Sequence, residues 1–418
     1  MDRLPVAVIG AGPIGLASAA HALEHGLTPL VLEAGDQAGA TVAQWRHIQL
    51  FSSWPRVVDP AAGRLLGAAG WQRPAPEVYP TGGEWLDTYL SPLASALAQW
   101  VRFGVRVTGV ARRGRDRVAG EGRDGEPLTV HAVTAAGEER ITAAAVIDAS
   151  GTWESPGPLG ADGFPALGEA AVADRISYRL LDLAGQRARR RYAGKRIAVA
   201  GAGHSALTAL VALGDLAKEH QGTQVDWLLR RPAVGDFFGG ADAERQLSPD
   251  TLERRSKAAA YGRHVRIITS FRTTAVERTP DGRLRLESAD GQRLEPVDEV
   301  LALTGFRPNL SWLGELRLDM DPVLEAPRAL APLIDPHVHN CLTVVPHGVA
   351  ELSHPEPGVF VVGMKSFGRA PAFLARTGYA QVQSVIAAIA GQMGDAGHGE
   401  EYAAPASKPV RGATQASA

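Results

Sequence analysis

One pattern constrains this chain more than any other, and it occurs twice. A short apolar run enters a glycine-rich turn, a helix opens directly from the turn, and a second apolar run follows. The first copy starts at Val6-Ala7-Val8-Ile9 and enters Gly10-Ala11-Gly12-Pro13-Ile14-Gly15. Residues 16–25 then read as an Ala-rich helix stopped at Gly26, and residues 28–32 as a strand closing on Glu33. The second copy runs from Arg196–Ala200 into Gly201-Ala202-Gly203-His204-Ser205-Ala206, and its next strand, residues 225–229, closes on Arg230 and Arg231. A GxGxxG alone is weak evidence. Set between a strand and a helix, with a diagnostic side chain at the next strand end, it meets the full context of a dinucleotide-binding βαβ unit. A chain of 418 residues has room for two such domains.

The spacing assigns each glycine a task. Gly10 permits the tight turn, Gly12 lets the backbone approach a pyrophosphate, and Gly15 lets the helix pack close to the sheet. Pro13 and Ile14 open a helix whose free N–H groups and partial positive charge favour phosphate. Glu33 can accept hydrogen bonds from both hydroxyls of an adenosine ribose, the arrangement expected for FAD. In the second turn Gly201 and Gly203 recur with His204 and Ser205, and alanine is permitted at position 206. Its strand end carries Arg230 and Arg231 in place of an acid. A carboxylate repels a 2′-phosphate and guanidinium groups bind it, so this site is expected to prefer NADPH; the alternative is a solvated arginine pair. One acidic and one basic site in the same chain point to FAD plus NADPH.

Between and after these units the chain alternates like a β-meander over residues 105–147. Buried runs end at Asp148-Ala149-Ser150-Gly151, at Leu303-Thr304-Gly305 and at Val362-Gly363-Met364. Residues 153–168 are rich in glycine and proline and read as a domain boundary. A helix is expected from about residue 375 to 390, and residues 395–418 read as a disordered tail of small and polar residues. Thr81 and Glu84 have the spacing of a helix-capping box. Net charge is −2, which gives no general attraction to nucleic acid or an anionic membrane. The N-terminal run lacks a basic segment and reads as a buried strand rather than a signal peptide, and no apolar stretch reaches the roughly 20 residues of a membrane span. The single cysteine, Cys341, excludes a disulfide framework within the chain and points to the cytoplasm. A homodimer is the default expectation for a soluble enzyme.

The two glycine turns, their strand ends and the turns at Gly151, Thr304-Gly305 and Gly363 together resemble the class B flavin monooxygenases within the wider two-dinucleotide-binding flavoprotein superfamily, over residues 1 to about 390. The resemblance implies an α/β fold of two Rossmann-like three-layer domains, with an NADPH domain (165–325) inserted into a discontinuous FAD domain (1–164 and 326–394). Three features depart from the family pattern. The FxGxxxHxxxY/F stretch before the second glycine turn is absent, with Arg175-Ile176-Ser177-Tyr178 at most a remnant. Met364 replaces the acid of the late flavin turn, and Ser52 or Ser53 replaces an asparagine expected near residue 53. The chain also resembles a set of bacterial flavoproteins associated with arsenic resistance.

One cysteine cannot form the dithiol relay of the disulfide-reductase branch, so electrons on the flavin must leave to oxygen or to an external acceptor. The leading expectation is an NADPH-dependent monooxygenase that acts through a C4a-peroxyflavin. Its substrate would be a small soft nucleophile bearing nitrogen, sulfur or trivalent arsenic. The alternatives are an NADPH-dependent flavin reductase without oxygen insertion and a flavin-bound redox sensor or partner-binding module. Candidate contacts to flavin or substrate lie in the aromatic loop 45–55: Trp45, His47, Gln49, Ser52, Ser53 and Trp54. The same tryptophans could equally fill core. If the stretch from Asp335 to Cys341 is extended, His337, His339 and Cys341 share one face, which could meet a soft metal or an arsenical; the alternative is ordinary loop histidines and a small buried thiol, and no metal site is assigned. Lys365, Ser366 or Arg369, after the late flavin strand, could hydrogen-bond the flavin ring or its ribityl chain; the alternative is a turn with solvated charges.

Overall fold

The computed structural model describes residues 4–180, 182, 185–234, 252–339, 347–371 and 373–395. Its architecture is α/β, built from two three-layer units of Rossmann type. The first has a parallel five-stranded sheet in the order Val359–Val361, Ala145–Asp148, Val6–Ile9, Pro29–Leu32, Val101–Arg102. Ile9 sits opposite both Leu32 and Asp148, so the strands end level at their carboxyl ends. Every residue of Val6–Ile9 and Ala145–Asp148 is buried. Both faces of the sheet are covered, which is why these strands read as unbroken apolar runs rather than alternating ones.

One face, through Val6, Val8, Val31, Ile147 and Phe360, packs on helix Pro13–Glu24 and on the long helix Ala375–Asp395. The other face, through Ala7, Ile9, Leu32, Val146 and Val361, packs on an antiparallel sheet of Arg106–Arg112, Leu128–Thr134 and Gly137–Ala143. That sheet is the meander expected from the sequence. The parallel sheet's edge strand Val359–Val361 pairs with Ala145–Asp148, so a segment late in the chain completes it.

The second unit repeats the plan. Its parallel sheet has the order Val265–Ile268, Gln224–Leu228, Arg196–Ala200, Glu299–Ala302, Ile176–Ser177. Helix His204–Glu219 lies on one face, with helix Leu252–Ala260 packed beside it; the hairpin Thr273–Arg278 and Leu284–Ser288 lies on the other. Leu159 and Ala166 already belong to this unit's core. Leu313 and Leu316 are packed back in the first unit's core, ahead of residue 326, where the sequence places the return.

Two local expectations have direct outcomes. The capping box forms: Thr81 N–H donates to Glu84 Oε2 at 2.7 Å, and Glu84 N–H donates to Thr81 Oγ1 at 3.1 Å. The extended His-rich face does not form over residues 335–339. The Asp335 carbonyl accepts from Val338 and His339 N–H, and its carboxylate from His337 N–H, folding the segment into a turn. His337 and His339 therefore share no strand face, and Cys341 lies outside the described residues. No helix among the described residues is long and apolar enough to cross a membrane.

Candidate dinucleotide cradles and the cleft between them

The first glycine turn leaves the carboxyl end of Val6–Ile9, and steric contacts explain its composition. Gly10 has φ +97°, and a Cβ there would meet Ala149 O at 3.0 Å and Ser150 Cα at 3.1 Å. A Cβ on Gly15 would lie 1.9 Å from Gly10 O, so the helix could not sit this close to the turn. Gly12 faces open space, where an added Cβ would meet nothing within 4 Å, as does Gly151 at φ +70°. Glu33 is half-buried; its oxygens accept from Ala11 N–H at 2.6 Å and Gly35 N–H at 2.7 Å. That leaves its remaining lone pairs at the lip of the open turn, where a ribose diol can donate to them. An open glycine seat, a helix N-terminus and a carboxylate at the strand end fit the adenosine and pyrophosphate of FAD.

The second cradle follows the same logic with a different lip. Gly201 has φ +132°, and a Cβ there would lie 2.1 Å from Leu303 O. Gly203 caps helix His204–Glu219 and faces open space, as does Gly305 at φ +96°. Ala206, in the register of Gly15, is fully buried. Arg230 and Arg231 are exposed just beyond the end of strand Gln224–Leu228, with a guanidinium nitrogen of Arg230 3.4 Å from Ala161 O. These residues fit a pyridine dinucleotide.

The carboxyl ends of the two sheets meet. Gly157 N–H donates to Gly305 O at 2.7 Å, Thr304 Oγ1 donates to Gly157 O at 2.7 Å, and Arg307 N–H donates to Ser155 O at 2.8 Å. Over this crossing Trp153 stacks on Phe306 with centroids 5.0 Å apart. Trp153 Nε1–H donates to Gln44 Oε1 at 2.8 Å, and Arg179 donates to Trp153 O at 2.8 Å while lying 5.3 Å from its ring centroid. Sequence reasoning does not single out Gln44, Trp153, Arg179 or Phe306. The signal that could have found two of them is a bulky aromatic just after each strand-ending glycine, one at 306 and one two residues beyond Gly151.

Loop 45–55 divides its residues between core and cleft. Trp45 packs over Gly82, where a Cβ would come within 2.6 Å of its ring, and lies 6.3 Å from Trp85. Trp54 is buried. His47 instead lines an open cavity of about 630 Å³ with Gln44, Arg46, Glu84, Asp87 and Asp182. Ser52 and Ser53 are half-buried, Ser53 preceding the short helix Trp54–Val57, and the side chain of Gln49 bonds Tyr79 O at 3.3 Å. Phe51 is 57% exposed and stacks on His204, at the mouth of the second cradle, with centroids 4.9 Å apart.

The late turn Gly363–Phe367 differs from its expectation. Gly363 has φ +69° and packs against Ile14; its N–H donates to Gln381 Oε1 at 2.8 Å. Gln381 Nε2 also reaches Ser366 Oγ and His347 Nε2, each at 2.9 Å. Lys365 is buried with its ammonium 2.6 Å from Asp148 Oδ2, Ser366 Oγ donates to Gly363 O, and Arg369 pairs with Glu325 at 2.6 Å. The three polar side chains expected on the flavin are thus engaged by protein: Lys365 and Ser366 are tucked under the sheet end, while Arg369 is exposed beyond the turn and pairs with Glu325. Met364 is the partly exposed member of the turn.

A family model described as "Pyridine nucleotide-disulphide oxidoreductase" matches residues 4–323. A ferredoxin–NADP reductase of Ralstonia nicotianae is 28% identical over 325 residues, covering 76% of this chain and 74% of that protein. Among solved structures, a bacillithiol disulfide reductase from Bacillus cereus has TM-score 0.68 at 18% identity, covering 94% of this chain and 100% of that one. A flavin-containing monooxygenase from Stenotrophomonas maltophilia has TM-score 0.54 at 22% identity, covering 93% and 99%. The two structural likenesses speak for the fold.

Proposed function

This chain belongs to the pyridine nucleotide-disulphide oxidoreductase family, and on that premise we propose that it is an NADPH-dependent monooxygenase of a small soft nucleophile bearing nitrogen, sulfur or trivalent arsenic. At the coarser level it is an FAD-dependent oxidoreductase that uses NAD(P)H. The reading assigns FAD to Gly10, Gly12, Pro13, Ile14, Gly15 and Glu33, with Gly151, Gly363 and Met364 towards the flavin. It assigns NADPH to Gly201, Gly203, His204, Ser205, Thr304 and Gly305, with Arg230 and Arg231 on the 2′-phosphate. His47, Ser52, Ser53 and Cys341 remain the proposed substrate-side residues. Bound FAD supplies acceptance of hydride from NADPH and reaction with O2; one oxygen atom goes to the substrate and the other leaves as water.

The observation that carries the oxygenase reading is the aromatic cover over the crossing of the two cradles, Trp153 on Phe306, tied down by Gln44 and Arg179. An apolar cover excludes water, which an oxygen-transferring flavin needs. No thiol stands at Ile14 or Met364, and a single cysteine provides no internal disulfide relay. A second reading, an NADPH-dependent reductase serving an external acceptor, draws its support from the Ralstonia relatives, named ferredoxin–NADP reductases.

The test reduces the FAD-loaded protein with NADPH under anaerobic conditions. It is then mixed with oxygen in the presence of an amine, a thioether or a trivalent arsenical, and product formed per NADPH consumed is counted. Near one-to-one oxygenated product supports the monooxygenase. Fast, oxygen-independent reduction of dyes with no product from any of the three supports the reductase. Failure of NADPH to reduce the flavin sinks both.

A further inference from the structure

Lys365 is a fully buried lysine beside a cradle for a dinucleotide, and family membership assigns it no task. Its ammonium is 2.6 Å from Asp148 Oδ2, 3.1 Å from Ser150 Oγ and 4.5 Å from the ring centroid of Trp312. Asp148 is equally buried, and its other oxygen accepts from both Ser150 N–H at 3.1 Å and Ser150 Oγ at 2.6 Å. The contacts spread from there. Ser150 Cα packs against Gly10, Gly151 is the open seat next in sequence, and Gly363, two residues before Lys365, packs against Ile14. One cation therefore sits at the junction of three turns, at residues 10–15, 148–151 and 363–367, that converge on the first cradle. A buried ion pair contributes little net stability against an apolar pair of equal volume, although breaking one partner is costly. Such a pair is better accounted for as a device that fixes geometry.

We propose that Lys365 is a positioning residue of the FAD site: through Asp148 and Ser150 it locks the late turn to the Ser150–Gly151 seat and to the first glycine turn, holding the three in register for FAD. The inference rests on FAD occupying the first cradle, and FAD uptake by the parent protein is the control that tests that premise separately. Removing Lys365 alone also strands the Asp148 charge, so the decisive variant is Lys365→Met combined with Asp148→Asn. The asparagine side chain can still hold Ser150 locally and no buried charge remains, but the link to the late turn is gone. The FAD dissociation constant, measured by flavin fluorescence, and the denaturant midpoint of the apoprotein are followed together. The expected result is an unchanged midpoint with FAD bound about tenfold or more weakly, the loss of one to two hydrogen bonds' worth of positioning. Lys365→Arg, which can still bridge Asp148 and Ser150, is expected to restore binding to within a few-fold. A double variant that folds and binds FAD as the parent does overturns the proposal, as does failure of Lys365→Arg to bind better than the double variant. If the double variant does not fold, Ser150→Ala decides, since it removes the hydroxyl that links Lys365 to the Ser150–Gly151 seat and no charge: FAD affinity equal to the parent's overturns the proposal.

Discussion

At the scale of single residues, the two cradles differ most in one pair of positions. Glu33 and Arg230–Arg231 stand at the second strand end of their units, one acidic and one basic, around otherwise similar open turns. Glu33 is committed to the Ala11 and Gly35 N–H groups, so it shapes the turn as well as offering acceptors to a ribose. Arg230 and Arg231 are both exposed, which leaves their guanidinium groups accessible to an arriving phosphate. Replacing both with alanine is expected to weaken NADPH binding by about 10- to 100-fold, the value of one or two charge-assisted hydrogen bonds. NADH, lacking the 2′-phosphate, should bind as before. Titrations of both nucleotides against the FAD-loaded protein read this directly, and an equal loss for NADH would place the arginines outside the phosphate site.

At the scale of elements, the glycine turns and the buried parallel strands were legible because local sterics write them into the chain. Gly10 and Gly201 need positive φ, and unbroken apolar runs mark strands covered on both faces. What sequence could not show are contacts between distant segments. Lys365, aligned by position with the flavin, turns instead to Asp148, and Trp45 turns to Gly82. The Glu356 carboxylate is the sharpest case. It lies buried between Arg112 and Arg123, more than 230 residues away in sequence, with nitrogen–oxygen distances of 2.7–2.8 Å, and accepts from Arg317 N–H at 2.9 Å. It fastens the meander to the edge strand of the first sheet. Burial alone would raise its pKa, but the Arg317 N–H and the two guanidinium groups hold it below the ordinary carboxylate range. A depressed folded-state pKa contributes stability that is present above the unfolded-state value and is lost as pH falls through the folded one. Glu356→Gln is therefore expected to cost about 3–5 kcal/mol near neutrality, since it removes the one buried carboxylate the two arginines share, leaving Arg112 to backbone carbonyls and Arg123 to these and the exposed Asp124, 3.7 Å away. It should also flatten the fall of stability on acidification, as read from denaturant midpoints across an acid pH series. Parallel curves for the two proteins would show that Glu356 does not set the acid limit.

At the scale of the whole molecule, the two sheets present their carboxyl ends to each other, and the chain crosses between them near residues 151–159 and 303–313. A nicotinamide held by one cradle can meet a flavin held by the other only across this crossing, so contacts that bridge it bear on the approach of the two cofactors. Phe51 makes such a contact. It rises from the loop after the first unit's second strand and lies over His204, the first residue of the helix whose N-terminus would face the NADPH pyrophosphate. Gly203 beside it opens to empty space, so the stack covers one side of a seat that is otherwise clear. A stacked aromatic pair is worth about 0.5–1.5 kcal/mol beyond its buried area, and a dinucleotide entering against it must displace that much. Phe51→Ala is accordingly expected to tighten NADPH binding by about two- to tenfold, the same energy expressed as a ratio. FAD content should be unchanged, because the ring's stacking partner, His204, belongs to the second cradle. Stopped-flow reduction of the bound flavin over a range of NADPH concentrations separates the affinity from the hydride-transfer rate. Weaker NADPH binding in the variant would mean that the ring is part of the nucleotide's seat and moves with it on binding, rather than standing in its way.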